Sequence, residues 1–139
     1  MKRTFSFVHT RPRPLILCIL LMALAADPLL SLKALADPQK GVASVYGNGD
    51  GHEWTRTANG ETVDPTALTA AHRSLPFGTF VRVRNEVNGK GVVVRISDRG
   101  PFKSGRIIDL TPAAADTIKM TGLASVEVTA IPFADLPLP

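Results

Sequence analysis

The chain has 139 residues, enough for one domain with one hydrophobic core, and 45% of them are hydrophobic. There are 16 basic and 12 acidic residues, but five of the basic residues and one acidic residue fall within the first 36 positions, which leaves 11 of each for residues 37–139. That part carries no net charge, which excludes the basic footprint of a nucleic-acid-binding domain.

The first 36 residues are predicted to be a cleavable signal peptide. Basic residues precede the apolar run LILCILLMALA (15–25), which has the length of a signal-peptide core and is too short to span a bilayer. Ala34 and Ala36 occupy the small-residue positions before a cleavage site, so we expect processing after Ala36. Ala26 is the alternative cleavage site, and a retained anchor is the alternative fate. The mature protein is expected in the periplasm or the extracellular envelope.

The single cysteine, Cys18, lies inside this apolar run and would leave with it. The mature chain is therefore expected to have no disulfide and no thiol chemistry. We do not expect a lipid on Cys18, because the residue before it is Leu17 rather than a small one.

The remaining sequence predicts short strands joined by polar turns. The first strand covers GVASVYG (41–47) and leads into a long polar loop (48–61). A hairpin of two strands (79–97) is predicted around Asn88-Gly89, followed by strands at SGRIIDL (104–110) and ASVEVTAI (124–131). The one helix is predicted at TPAAADTIKM, with Thr111 as N-cap, Pro112 at the first helical position and Gly122 as the stop. This pattern favours a small closed β-barrel (37–132) and a loose tail (133–139), although periodicity alone does not separate a barrel from a sandwich.

Several classes of site are unsupported by this sequence. Two histidines and no cysteine remain after residue 36, without zinc-ligand spacing, and there is no nucleophile motif, P-loop or dinucleotide fingerprint. We therefore expect no metal and no cofactor. Carboxylates and a histidine remain as the candidates for chemistry.

Asp98 is the foremost of these candidates. It follows the strand pattern VVVRIS and precedes Arg99-Gly100-Pro101. A carboxylate at the end of a buried strand is partly desolvated, and desolvation favours the protonated form that a general acid needs. The alternative is that Asp98 only caps the turn or pairs with an arginine.

The other candidates also have simpler readings. Glu61 follows the turn-forming Asn59-Gly60 and could be an ordinary loop residue, and His72 lies in an apolar stretch where a hydrogen-bonded core histidine is common. Tyr46 could line a sugar site or belong to the core. Trp54, in the polar loop, could stack on a sugar ring or plug the barrel end.

Taken together, the segments resemble a known family. GVASVYG, RTANGE, LTAAHRSLPFGTFVRVRN, NGKGVVVRISDRGPF and GRIIDLTPAAA occur in this order, and they resemble the rare lipoprotein A (RlpA) family of bacterial envelope proteins. The resemblance covers residues 41–131. It implies a mainly β fold, a six-stranded double-psi β-barrel with one short helix, and a lytic transglycosylase that cleaves the MurNAc–GlcNAc bond of peptidoglycan with a 1,6-anhydro product.

The resemblance also implies site residues. The family's catalytic glutamate, histidine and aspartate fall on Glu61, His72 and Asp98. Asp98 would act first as acid and then as base, Glu61 would stabilise positive charge and His72 would hold a group in place; an exchange of roles between Asp98 and Glu61 stays open. Residues expected to contact the glycan are Tyr46, Trp54, Asn59 and Arg99. The expected partner is a peptidoglycan glycan strand, with no nucleic acid, no membrane anchor after cleavage, and a monomeric state.

The sequence departs from the family pattern at Val45, where many members have a sugar-stacking tryptophan. Without a lipid-attachment cysteine or a sporulation-related repeat after the barrel, membrane anchoring and septal targeting are not expected. Two alternative functions remain open: an expansin-like module that binds or loosens wall polysaccharide without cutting it, and a barwin-like hydrolase that leaves reducing ends.

Overall fold

The computed structural model describes residues 37–47 and 49–136. The predicted signal peptide with its cleavage sites and Cys18, and the last three residues of the predicted tail, lie outside the described residues. Within the described ranges, no helix is long and apolar enough to cross a membrane.

Six strands close into a barrel. The elements in chain order are β1 (Gln39–Val45), β2 (Thr69–His72), β3 (Phe80–Asn85), β4 (Gly91–Asp98), β5 (Arg106–Leu110), α1 (Pro112–Thr117), β6 (Ala124–Ile131) and a 3-10 turn (Phe133–Asp135). Around the barrel the strands follow the order β1-β5-β2-β4-β3-β6. The β1–β5 and β2–β4 pairs are parallel, and the other four pairs are antiparallel. This closed sheet leaves no free edge among the six strands.

Alternate residues of the strands fill the barrel. Fully buried side chains on four strands and on the segment after α1 include Val83, Val94, Ile108, Ile118 and Val126. In β3, Arg82 and Arg84 face solvent and alternate with the buried Val81, Val83 and Asn85, as the period of a half-buried strand requires. The helix packs Ala114 and Ala115 against this core.

Most of the predicted elements are confirmed, and so is the predicted barrel. The hairpin of β3 and β4 is antiparallel as expected, but its turn is longer than a two-residue Asn-Gly turn. The amide of Asn85 donates to Lys90 O at 2.8 Å, and Gly89 N donates to Asn85 O at 2.8 Å. The loop therefore holds four residues, with Gly89 at φ +72°.

The helix is shorter than predicted. It ends at Thr117, and the left-handed residue that follows is Lys119 (φ +53°), so the prediction of Gly122 as the stop is wrong. Thr111 precedes the helix as expected, but its hydroxyl makes no cap hydrogen bond; it donates to Ala67 O at 2.6 Å. Thr111 thus ties the start of the helix to the segment before β2.

Strand β2 has no counterpart in the predicted elements. It has only four residues, Thr-Ala-Ala-His, and three of them are buried. Two alanines and no apolar–polar alternation give neither β-propensity nor period. The strand forms because β4 and β5 flank it on both sides.

Candidate active site

Four neighbouring strands carry one row of residues across the outside of the barrel. Ser44 of β1 pairs with Asp109 of β5, Asp109 pairs with Ala71 of β2, and Ala71 pairs with Asp98 of β4. The core residues lie on the other side of these strands, so the row faces outward. Two carboxylates therefore lie on one face, with a single alanine between them.

A β-bulge places Asp98 in this row. Ala70 pairs with Ile96 and Ala71 with Asp98, so Ser97 is an extra residue of β4 without a partner on β2. Ile96 is in the core, and regular alternation would turn Asp98 inward as well. The bulge reverses this alternation and redirects the Asp98 side chain to the outer face.

Asp98 is half-buried and held through one oxygen. Its Oδ1 accepts hydrogen bonds from the amides of Ala58 and Arg99, both at 2.8 Å. Oδ2 has no hydrogen-bond partner among the described residues. Asn59 N donates to Ser97 O at 3.3 Å and joins the same loop to the end of β4. The carboxyl group is thus oriented, and one oxygen stays available for a ligand.

The TANGE turn (57–61) is built around the side chain of Asn59. Its Oδ1 accepts hydrogen bonds from Thr57 Oγ1 at 2.5 Å and from Glu61 N at 3.1 Å, and the amide of Thr57 donates to Glu61 O at 2.8 Å. These bonds assign Asn59 Oδ1 to the turn itself, and a glycan contact by Asn59 stays a prediction. The same turn carries Glu61 and Ala58, and the amide of Ala58 binds Asp98.

Glu61 forms a two-point ion pair with Arg95 of β4. Arg95 donates to Oε1 at 2.9 Å and to Oε2 at 2.7 Å. These hydrogen bonds lower the pKa of Glu61 below its usual value, with a smaller contribution from the charge of Arg95. The ion pair therefore favours the ionised form of Glu61.

His72 is buried and serves as a hydrogen-bond acceptor. Its Nδ1 accepts the amides of Ser74 at 3.2 Å and Leu75 at 3.1 Å, and its Nε2 lies 3.3 Å from Gln39 Oε1. This network places the proton on Nε2 of a neutral ring. Burial lowers the pKa of His72, and the charges of two neighbouring arginines, Arg99 and Arg73, lower it further.

The imidazole of His72 lies on the other side of β2 from the carboxylate row. It follows Ala71, and successive side chains of a strand point to opposite sides. Its contact Gln39 lies four residues before the core residue Ala43, on the inward side of β1. The TANGE turn thus links Asp98 with Glu61, whereas the His72 ring lies on the opposite side of β2.

Arg99 fastens the turn after β2 to the end of β4. Its Nη1 donates to His72 O at 3.2 Å and to Leu75 O at 2.9 Å, and its guanidinium lies 3.7 Å from the centroid of the Phe77 ring. It makes no ion pair with Asp98 in the part of the chain that is described. These contacts use Nη1 and one face of the guanidinium, and the expected glycan contact of Arg99 stays a prediction.

Arg73 is a positioning residue that sequence reasoning missed. Its guanidinium donates to the carbonyls of Pro101 at 2.5 Å, Lys103 at 2.7 Å and Arg106 at 3.1 Å. Three backbone acceptors from one loop make a clamp across residues 101–106. Only the fold brings position 73 to this loop, so no local sequence signal could have found the contact.

Tyr46 is buried, with 9% of its surface exposed, and borders the site. Its hydroxyl and Ser97 Oγ are buried without a hydrogen-bond partner in the described ranges. Burial, reinforced by the charge of Asp98, raises the pKa of Tyr46 to about 12, so the phenol keeps its proton. Trp54, by contrast, is 67% exposed and does not plug the barrel end.

Asp109 is the second carboxylate of the row and was also missed. Its Oδ1 accepts hydrogen bonds from Ser44 Oγ and from Arg106, the latter at 2.9 Å. A signal was available, because Asp109 lies one residue before the end of a strand, much as Asp98 lies at the end of β4. A cleft of about 460 Å³ extends from it past Tyr46. The described residues contain no group of three or more side chains suited to hold a metal ion.

Comparison with known proteins shows which family this chain matches. A family model described as "Lytic transglycolase" matches residues 38–130. The probable endolytic peptidoglycan transglycosylase RlpA of Nostoc sp. is 60% identical over 83 residues, which cover 60% of this chain and 22% of the relative. The endolytic peptidoglycan transglycosylase RlpA of Yersinia pestis is 45% identical over 102 residues, covering 70% and 28%. The chain thus spans about a quarter of the length of these curated relatives.

Solved structures show the same fold at low sequence identity. An apo expansin from Clavibacter michiganensis superposes with a TM-score of 0.55 at 20% identity, over 70% of this chain and 52% of the expansin. The Streptomyces papain inhibitor superposes with a TM-score of 0.54 at 19% identity, over 70% of this chain and 97% of the inhibitor. At this identity, the likeness speaks for the fold alone.

Proposed function

Because the chain belongs to the lytic transglycolase family of double-psi β-barrels, we propose that it is an endolytic peptidoglycan transglycosylase, a lyase that cuts the MurNAc–GlcNAc bond. Its relatives from Nostoc sp. and Yersinia pestis are named as a probable endolytic and an endolytic peptidoglycan transglycosylase, which supports this activity. The observation that carries the proposal is the geometry of Asp98. The bulge in β4 turns its side chain to the outer face, two backbone amides bind Oδ1, and Oδ2 has no hydrogen-bond partner among the described residues.

The reaction begins with a proton on Asp98. Oδ2–H donates this proton to the glycosidic oxygen while the bond from C1 of MurNAc to that oxygen breaks, and C1 develops oxocarbenium character. The C6 hydroxyl of the same sugar then attacks C1, and Asp98 takes its proton back. The products are a GlcNAc 4-hydroxyl and a 1,6-anhydro ring, and no water is consumed.

Glu61, in the TANGE turn that also binds Asp98, supplies a negative charge to the site. Its ion pair with Arg95 lowers its pKa, which keeps it ionised while Asp98 cycles between acid and base. An ionised carboxylate stabilises the positive charge that develops at C1. The proton-retaining phenol of Tyr46 closes the buried side of this site.

His72 acts as a positioning residue in this scheme. Its ring orders the turn after β2 through Ser74 N and Leu75 N. That turn carries Arg73, which clamps the loop after Asp98, and it provides Leu75 O as an acceptor for Arg99. The histidine thereby fixes the neighbourhood of Asp98 without contacting the sugar.

The test is a product analysis with purified protein and peptide-stripped glycan strands. The unaltered protein should release fragments whose masses carry 1,6-anhydro ends. The variant Asp98→Asn should lose at least about 100-fold in rate while its circular dichroism spectrum stays unchanged. Asp116→Asn, at an exposed carboxylate on α1, is the matched control.

Each of the other outcomes would point to a different function or mechanism. Anhydro products formed at an undiminished rate by Asp98→Asn would remove Asp98 from the mechanism. Reducing ends would identify a hydrolase, and binding without any release would identify an expansin-like module.

The same proposal includes export. Residues 1–36 would direct secretion and be removed, residues 37–132 would act as a monomeric domain in the envelope, and residues 133–139 would form a tail. N-terminal sequencing of the exported protein checks the cleavage after Ala36, and a first residue other than Asp37 would correct it.

A further inference from the structure

The cleft beside Asp109 adjoins the carboxylate row on the side away from Glu61. Its volume is about 460 Å³, and its walls include Tyr46, His52, Phe102, Lys103 and Asp109. Asp109 belongs to the row that ends at Asp98. The cleft therefore continues the proposed active site along the surface of the barrel.

Phe102 gives this cleft an exposed aromatic face. It follows the buried Pro101, yet 83% of its own surface is exposed. One edge of its ring lies over Gly100: a Cβ atom on that glycine would sit 3.7 Å from the ring and 3.9 Å from Asp109 Oδ2. The ring and the carboxylate, which both line the cleft, thus lie close to the same glycine.

The backbone that carries Phe102 is fixed. Arg73 donates to the carbonyl before it, Pro101 O, and to the carbonyl after it, Lys103 O. A large exposed apolar ring on a clamped loop gains nothing for the fold, whereas a pre-ordered ring binds a ligand with little loss of conformational entropy.

The groups around the ring suit a sugar. The exposed side chains of His52 and Lys103 and the carboxylate of Asp109 offer hydrogen-bond donors and acceptors beside one flat apolar surface. Sugar rings present an apolar face edged by hydroxyl and amide groups, so a ring stacked on Phe102 would meet both surfaces.

We propose that this cleft is a second sugar subsite, in which Phe102 stacks on a hexosamine ring of the glycan strand. The inference rests on the proposed function for the identity of the strand. Asp98 and Asp109 are two strand spacings apart, about 10 Å, with Ala71 between them. The sugar at Phe102 is therefore a remote one, and its binding energy positions the bond that is cut at Asp98.

Binding is measured first, in the Asp98→Asn background, so that no cleavage intervenes. Sedimentation of the protein with insoluble peptide-stripped glycan gives the Kd. Adding Phe102→Ala should raise the Kd about tenfold, the cost of one lost aromatic stack, whereas Phe102→Tyr should retain affinity. Phe133→Ala is the matched control, since Phe133 is 89% exposed and lies in the turn after β6. A Kd for Phe102→Ala equal to that of Phe133→Ala overturns the proposal.

Cleavage by the otherwise unaltered chain separates this inference from the proposed function. Phe102→Ala should raise KM on long strands and leave the rate on fragments too short to reach the cleft unchanged. An equal loss on both lengths would show that Phe102 only supports the fold and would reject the subsite. If no variant cleaves while the Kd still depends on Phe102, the proposed activity fails and the sugar subsite stands.

Discussion

Adjacent residues of β2 belong to two different regions of the molecule. Ala71 lies in the outward row between Asp98 and Asp109, while His72 points to the inner side, where it meets Gln39 and the turn at 74–75. The outer region presents carboxylates to a groove, and the inner region holds the turn that supports that groove. Nearness within a sequence motif thus does not place side chains in one site.

The two regions also differ in electrostatics. On the outer side, the ion pair with Arg95 lowers the pKa of Glu61 and keeps it charged. On the inner side, burial and two arginine charges lower the pKa of His72 and keep it neutral. Mutations in the outer region should therefore alter catalysis with little effect on stability, and mutations in the inner region should alter both.

Among the variants that test this contrast, Glu61→Gln should have the largest effect. Loss of the negative charge should lower kcat/KM about 100-fold, because transition-state charge would no longer be stabilised. The melting temperature should hardly change, since the ion pair with Arg95 is partly exposed and such pairs contribute about 0–1 kcal/mol. Single-turnover kinetics on glycan strands, together with thermal unfolding, measure both quantities.

Glu127→Gln is the matched control for that experiment. Glu127 pairs with Arg84 and Lys40 on β6, β3 and β1, away from the row. If both variants lose the same amount of activity, Glu61 has no special part in the chemistry and the contrast between the regions disappears.

A smaller effect, of a different kind, is expected from His72. His72→Ala leaves the amides of Ser74 and Leu75 without their acceptor, which should cost about 2 kcal/mol of unfolding free energy and reduce activity as the turn loosens. His72→Asn offers a carbonyl oxygen near the position of Nδ1 and should restore much of both. If His72→Asn restores stability but not activity, the imidazole itself takes part in the reaction.

The pH dependence of stability provides a second readout for His72. Because its pKa is lowered in the folded state, the unfolded chain binds the proton first, and the free energy of unfolding should fall as the pH drops below about 6.5. His72→Asn should flatten the melting-temperature profile between about pH 7.5 and 5. An unchanged slope in that window would assign the dependence to other groups.

Much of the barrel was predictable because its signals are local. Alternating valines marked β3, and the strand-end position marked Asp98. The bulge at Ser97 and the four residues of β2 have no local signal, since they depend on pairing with strands distant in sequence. The motifs include Glu61 and His72, but the side of β2 on which the His72 ring lies follows from the strand register, and the position of Glu61 follows from its turn and its pairing with Arg95.

Asp109 and Arg73 show two kinds of missed residue. Asp109 could have been found, because it is the last polar residue of a predicted strand that ends at Leu110, close to the strand end as Asp98 is. Arg73 could not, since its three acceptors lie 28 to 33 residues further along the chain. Side chains that bind distant backbone carbonyls leave no periodic pattern in the sequence.

The smallest effect is expected from a substitution of Asn59 in the TANGE turn, which binds Asp98 of the outer region. Asn59→Ala removes the acceptor for Thr57 Oγ1 and Glu61 N and should lower the unfolding free energy by about 1 kcal/mol. Activity should fall several-fold as well, because Glu61 and the Ala58 amide bound to Asp98 belong to the same turn. Asn88→Ala, in the β3–β4 turn, loses comparable bonds to Lys90 and Ile118 and should reduce stability alone. If the two variants retain equal kcat/KM, the TANGE turn serves the fold and does not position the carboxylates.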